Sequence, residues 1–484
     1  MSKKVISNLI WRFAERSGAQ IVQFIVQIIL ARLIEPEAFG TISIVLVFTN
    51  ILQVFIDSGI GTALIQNKDS DELDFSSVFY FNIVWCWILY LVAYIAAPFI
   101  AAFYEDTQLI PIIRVLSLIL PISGIKNVEQ AYVSKTLQFK KFFFSTLAGM
   151  TISAVAGIWS AFNGFGVWAL VIQKLVNVAV DTIVQFFTVG WRPKLMFSIS
   201  RIKIAFSFAW KVLLTQLIDF IYIDFEQLVI GKIYSPSILA YYSRGKQFPQ
   251  IIVQNVNTSI DSVLFPVMSA RQDNTKNVKL ILQRSIKTST YVMAPLMIGL
   301  FVISPTLVPV LLTDSWLSCV PFLKVFCITY LFMPIHTSNM NAIKALGRSD
   351  VLLKNEVIKK IVCFTVLIVT MFISVDAILY GLLVCTFFTQ ILNAWPNRKL
   401  LGYGYIEQMK DIMPGICSAI FMGVCVWVIS FFNLSSIVLL ILQILVGGLL
   451  YIVISEIFKL DAYLYLKQIV GRFVKTLTSR KLIE

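Results

Sequence analysis

The chain has 484 residues, 58% of them hydrophobic and only 14% charged, with a mean hydropathy of +0.83. A soluble domain carries about 25% charged residues, so these figures exclude one of this size. The net charge of +14 does not point to nucleic acid, because its cations gather in the connections between hydrophobic runs. Those runs reach roughly 20 residues, the length that crosses a bilayer as a helix. The short segments of alternating polarity that mark a β-barrel are missing. The expected fold is an all-α polytopic membrane protein.

Fourteen spans are predicted in chain order. The first six cover residues 8–34, 38–66, 75–104, 108–133, 142–163 and 166–190. The next six cover 202–233, 237–271, 288–312, 319–346, 354–375 and 377–400, and the last two cover 412–433 and 434–458. The eleventh has the shortest apolar part, and its start carries Glu356, Lys359 and Lys360. The opening MSKKVISNLIWRFAERSG is read as uncleaved, since Arg12, Glu15 and Arg16 interrupt the place of an apolar signal region. Beyond residue 458 the tail sets Tyr465, Leu466, Ile469, Val470 and Phe473 against Lys467, Arg472 and Lys475. It reads either as a basic amphipathic helix on anionic lipid or as a solvated tail. Six of the seven cysteines lie within apolar runs as small core residues, Cys319 sits near a loop, and no C-x-x-C pair occurs.

Lys and Arg accumulate in cytoplasmic connections. Here the even-numbered connections hold them, for example Lys135, Lys140 and Lys141, then Arg271, Lys276 and Lys279, then Arg398 and Lys399. The odd ones are nearly bare, apart from Lys232. Both termini are therefore expected in the cytoplasm. The acidic connection NKDSDELD departs from the pattern, but acidic residues weigh little in this rule.

Two polar hinges read alike, ARLIEPEAFG over residues 31–40 and GKIYSPSILA over 231–240, with Arg32 matching Lys232 and Pro36 matching Pro236. Six spans separate them, an even number, so both copies enter the membrane in the same sense. That is a parallel transporter repeat. The chain is accordingly divided into a lobe over 1–200, a second over 201–405, two added spans to 458, and the tail over 459–484.

Polar side chains form stripes inside several spans. In the first, Arg12, Arg16, Gln20, Gln23 and Gln27 share one helix face. In the seventh, Lys211, Thr215, Asp219, Tyr222 and Glu226 repeat the spacing. Asn50, Gln53 and Asp57 in the second match Gln254, Asn257 and Asp261 in the eighth. An ionised side chain at mid-membrane costs about 2.5–3.5 kcal/mol even on the gentler insertion scale. These stripes must therefore face protein or water, which predicts a cavity lined by spans one, two, seven and eight. The competing expectation is that Arg12–Glu15 and Asp224–Arg244 are ion pairs that only hold helices together. Arg12, Arg16, Gln20, Lys126, Lys211, Arg244 and Lys246 are the candidate substrate-binding residues. A cationic surplus suits phosphate, Arg through its planar fork and Lys as a point charge. Asp57, Glu129, Asp219, Glu226 and Asp261 are the candidates for a coupling H+ or Na+. No Walker loop, nucleophile motif or metal-ligand set appears, so neither a cofactor nor a metal is expected.

The stretch WRFAERSGAQIVQFIVQIILARLIEPEAFG resembles the first helix and turn of Wzx-type polysaccharide-lipid flippases, particularly the colanic-acid-exporter-like branch. That family belongs to the multidrug/oligosaccharidyl-lipid/polysaccharide exporter superfamily. The resemblance implies a V-shaped two-lobe transporter of twelve core helices plus two, working by alternating access with a cationic lumen. It also implies the substrate, an undecaprenyl-pyrophosphate-linked oligosaccharide, with membrane lipids and other polysaccharide-assembly membrane proteins as further partners. Arg12, Glu15 and Arg16 match the charged start of the family's first helix.

Two other functions compete. Asp69-Ser70-Asp71 is a D-x-D that a membrane glycosyltransferase or polymerase could use for a metal and a nucleotide sugar, although helix capping explains Asp74 before Phe75 equally well. His336, beside Asn339 and Asn341, reads more readily as a hydrogen-bonded packing residue than as a catalyst. A cation-coupled drug exporter of the same fold needs an aromatic pocket with one or two carboxylates, which the surplus of Arg and Lys disfavours.

Overall fold

Apolar runs without water must satisfy every backbone group internally, and a helix does so within one segment. The computed structural model describes residues 3–57, 61, 64, 70–136 and 138–468. Among these every regular element is helical. The first eight helices are α1 (Lys3–Leu33), α2 (Pro36–Asp57), α3 (Glu72–Tyr104), α4 (Leu109–Leu116), α5 (Ile119–Lys135), α6 (Lys140–Phe162), α7 (Val167–Thr188) and α8 (Ile199–Ile233). There follow α9 (Pro236–Ser269), α10 (Thr275–Leu311), a 3₁₀ turn (Asp314–Cys319), α11 (Val320–Leu331), α12 (Met333–Ala345) and α13 (Ser349–Met371). The last are α14 (Val375–Leu401), α15 (Tyr405–Ile429) and α16 (Ser436–Ile457), and residues 461–468 are helical too.

Ten spans among the described residues are long and apolar enough to cross a membrane. The expected spans outside that set are α1, α8, α9 and α13, of 31, 35, 34 and 23 residues. Their length suffices to cross, and α13 opens on a charged stretch that holds Asp350, Lys354, Glu356, Lys359 and Lys360. α3 shows how a span is built. Trp87, Leu91, Ile95, Phe99 and Phe103 form an exposed stripe, while Ala93, Ala97 and Ala101 are buried on the other side. Exposed apolar surface of this extent is covered by lipid, and small residues let neighbouring backbones approach.

The fourth and tenth spans are not single helices. α4 gives way to α5 at Ser117 and Leu118, and α11 to α12 at Phe332. Pro121 and Pro334 follow each break within the first turn. A proline ring bears on the carbonyl four residues earlier, here Ser117 and Tyr330. α3 and α10, which open the third and ninth spans, are both capped by an Asx side chain. Asp71 accepts from the Asp74 amide at 2.9 Å, and Asn274 from the Asn277 amide at 3.2 Å. Both halves thus repeat their caps and breaks as well as their hinges.

The chain forms two compact units, Met1–Ala240 and Tyr241–Glu484. In the first, the two hinges meet. Pro36 and Pro236 each open a helix, where the missing amide is no loss. Gly40 lies against the backbone of Pro236: a Cβ at Gly40 would stand 2.7 Å from Pro236 Cα and closer still to its carbonyl. Nearby, Lys232 Nζ contacts Glu105 Oε1 at 2.8 Å, and the Tyr104 hydroxyl donates to Leu228 O at 3.2 Å. These contacts hold α8 in the first unit. The compact division therefore falls beyond the repeat boundary read from the sequence.

The second unit has a polar interior. Asn339 and Gln408 exchange two hydrogen bonds of 2.9 Å, and Asn397 donates to Asn339 Oδ1 at 2.7 Å. Tyr403 and Gln283 donate to Asp411 at 2.8 and 3.0 Å, and Lys287 pairs with Asp411 at 3.1 Å. His336 is hydrogen-bonded to Asn393 through Nδ1, as a packing histidine would be.

Candidate functional site

On α7, Gln173, Asn177, Asp181 and Gln185 recur every fourth residue and so share a face. α6 presents Ser145, Gly149, Ser153, Gly157 and Ala161 at the same interval. Cβ atoms at Gly149 and Gly157 would lie 3.0 Å from Asp181 Cβ and 2.7 Å from Gln173 Cβ, so the small stripe lets α7 approach closely. Asn177 also donates to Ser153 Oγ at 3.3 Å.

α5 brings the charge. Lys126 Nζ donates to Asp181 Oδ2, with one fifth of the lysine side chain exposed and 9% of the aspartate. Glu129, one turn along α5, is 1% exposed. Asp181 Oδ1, Glu129 Oε2, Thr182 Oγ1 and both amide atoms of Gln185 are buried without a hydrogen-bond partner. Stranding such a group costs about 1–3 kcal/mol, and unpaired polar atoms gather here. Its oxygens can accept a proton or a small cation while Lys126 supplies positive charge. Just past the end of α7, Arg192 donates to the carbonyls of Val189 and Trp191 at 2.6 and 2.7 Å and lies over the Phe186 ring.

A cavity of about 850 Å³ opens between α2, α3 and α8, within the range of ligand pockets. Phe55, Trp85, Phe206 and Trp210 form its walls, and Lys203 is the one cation among its described lining residues. Asn82 also lines it and donates to Asn127 Oδ1 at 3.4 Å, so the cavity wall reaches the residue next to Lys126. Gly61 keeps this approach open, since a Cβ there would lie 2.5 Å from Asn127 Oδ1.

The other sequence candidates are distributed as follows. The side chains of Arg12, Arg16, Asp57, Lys211 and Asp219 lie outside the described residues. Gln20 and Glu226 are half-buried and engaged by neighbours. Arg244 is buried, donates to Gln247 Oε1 at 2.8 Å and lies over the Trp316 ring at 5.1 Å. Lys246 lies over the rings of Tyr242 and Phe326 at 5.9 and 6.0 Å. Asp261 accepts from Asn341 at 2.6 Å. The structure pairs Lys126 with Asp181, places Glu129 one turn from Lys126 on α5, and adds Thr182, Gln185 and Lys203, none of which was a candidate from sequence, nor was Asp181. The fourfold spacing on α7 was the available signal for two of these, Asp181 and Gln185.

The D-x-D is divided. Asp69 lies outside the described residues, and Asp71 caps α3 in a reciprocal box with Asp74, whose Oδ2 accepts from the Asp71 amide at 3.1 Å. The cap residue is thus Asp71, with Asp74 its partner three residues on. The amide of Asp74 and the nearby Arg201 hold the Asp71 carboxyl below its usual range, as suits a capping carboxylate. Among the described residues no group of three or more His, Cys, Asp and Glu is placed to hold a metal ion.

Residues 29–321 match the family described as "Polysaccharide biosynthesis protein". The "Succinoglycan biosynthesis transport protein ExoT" of Rhizobium meliloti (strain 1021) is 23% identical over 413 residues, covering 85% of this chain and 82% of its own. The "Teichuronic acid biosynthesis protein TuaB" of Bacillus subtilis (strain 168) is 24% identical over 356 residues, covering 72% and 73%. Among solved structures, "Lipid II flippase MurJ, inward closed conformation" superposes with a TM-score of 0.74 at 16% identity, over 93% of this chain and 98% of that one.

Proposed function

The chain belongs to the family of polysaccharide biosynthesis proteins, and from that premise we propose that it moves an undecaprenyl-pyrophosphate-linked oligosaccharide from the cytoplasmic to the outer leaflet of the bacterial inner membrane. The match over residues 29–321 carries this reading. The printed names of the relatives support it: one is a succinoglycan biosynthesis transport protein, and the structural neighbour is a lipid II flippase.

Pyrophosphate and a hydrated sugar chain do not cross about 30 Å of hydrocarbon unaided. A polar passage lowers that barrier while the polyprenyl tail stays in lipid. Arg12, Arg16, Gln20, Lys126, Lys211, Arg244 and Lys246 are proposed to meet the phosphates and sugar hydroxyls along it. The planar guanidinium gives paired hydrogen bonds to phosphate oxygens, and Lys126 supplies a point charge. Outward movement of negative charge is downhill in an inside-negative cell by about 2.3 kcal/mol per charge per 100 mV. Asp57, Glu129, Asp219, Glu226 and Asp261 are proposed to exchange the coupling proton or sodium ion. In this reading Glu129, beside the Lys126–Asp181 pair, takes up the ion as Lys126 turns from Asp181 to the substrate phosphate. The two repeats, 1–200 and 201–405, are proposed to act as lobes that alternate access, with both termini cytoplasmic and no enzymatic step.

Replacing Arg12 or Arg16 with alanine should reduce surface polysaccharide without loss of the protein from the membrane. Normal surface glycan in both mutants would remove these residues from the mechanism.

A further inference from the structure

A second cavity, of about 840 Å³, lies within the hairpin of α9 and α10. Ile260, Leu264 and Val267 on α9 and Leu280 and Ile281 on α10 give it apolar walls. Its cations are Arg271, at the turn, and Arg284, nine residues into α10 and so about 14 Å along its axis. No carboxylate is among its described lining residues. Tyr465, on the helical stretch over 461–468, closes one side, with the Arg284 guanidinium 4.7 Å from its ring centre. Lys287 draws that stretch in through Asp461 at 3.6 Å.

We propose that this groove binds one anionic phospholipid, its phosphate between Arg271 and Arg284 and an acyl chain along the α9–α10 walls. The charge and the walls argue for this occupant together: two arginines with no acid match a phosphate, and a free anion has no use for the apolar surface below them. The lipid also bears on Tyr465 and so pins the C-terminal stretch to α10. The proposal does not rest on the proposed transport reaction.

The test uses purified full-length protein in detergent, titrated with phosphatidylglycerol, phosphatidylcholine or inorganic phosphate, with thermal stability and native mass spectrometry as readouts. Phosphatidylglycerol should raise the melting temperature and stay bound as a single adduct, and the other two should not. Arg271→Gln and Arg284→Gln should each weaken phosphatidylglycerol binding roughly fivefold, the worth of one cation at an anionic surface, and Tyr465→Ala should weaken it as well. Should Arg284→Gln fail to fold, the exposed Arg271→Gln alone carries the test. Undiminished binding by the arginine variants, or an equal response to phosphatidylcholine or to inorganic phosphate, would overturn the assignment.

Discussion

Replacing Gly40 with alanine adds one methyl group where two helix N-termini touch. Its Cβ would come within 3.0 Å of three Pro236 atoms, all of them backbone. No rotamer change relieves such a clash, so α2 and α9 must move apart there. Overpacking of this kind costs about 1–3 kcal/mol, and alanine's better helix propensity offsets about 0.5–1 of that. The expected net loss is up to about 2.5 kcal/mol. Two further substitutions calibrate the measurement. At Gly231 a Cβ meets the side chains of Ile44 and Leu239 at 3.1–3.2 Å, groups that can yield, so Gly231→Ala should cost less. At Gly18 nothing lies within 4 Å, so Gly18→Ala should be neutral or stabilising. The assay is the apparent melting temperature of the purified protein in one detergent, followed by tryptophan fluorescence. Gly40→Ala melting at or above the wild type would refute the close hinge contact.

Lys126→Ala should strand Asp181 and destabilise by somewhat less than the about 3–5 kcal/mol of a fully buried pair, since Lys126 is partly exposed. Adding Asp181→Asn should restore part of the melting temperature, and an additive double mutant would argue against the pair. Asn339→Leu should strand Gln408 Oε1, leave its Nε2 with the Tyr403 carbonyl alone, and lower stability by about 1–3 kcal/mol; Asn339→Leu/Gln408→Leu should cost less than the sum of the single changes in the same thermal assay. The hydrogen bond and charge of Lys232 hold the Glu105 carboxyl below its usual range. Its contribution is therefore present above the ordinary glutamate range and fades as pH falls through the lowered value. Glu105→Gln should show a flatter acid-side melting profile than the wild type, and superimposable profiles would count against the contact.

Composition and periodicity made the helical spans legible, and the paired prolines made the repeat so. The contact between the hinges was not legible, because nothing local says that Gly40 will meet a residue almost two hundred positions away. The breaks in the fourth and tenth spans were missed although Pro121 and Pro334 are plain to see. Membrane helices tolerate proline where neighbours satisfy the freed groups, so proline alone does not announce an interruption. Asp181 escaped for a different reason. It lies outside the four spans whose polar stripes match between the repeats, and the small residues from Ser145 to Ala161 resemble ordinary apolar filler. The partner of Lys126 was therefore visible as a pattern but not as a pair.

The most direct measurement places purified protein in vesicles with a labelled undecaprenyl-pyrophosphate-linked oligosaccharide and follows its leaflet exchange under imposed proton and sodium gradients. The account predicts exchange that one of the two gradients accelerates, that Lys126→Ala slows in protein still folded and inserted, and that a lipid-linked sugar without pyrophosphate does not undergo. Exchange no faster than in protein-free vesicles, or equal rates for substrates with and without the pyrophosphate, would contradict it.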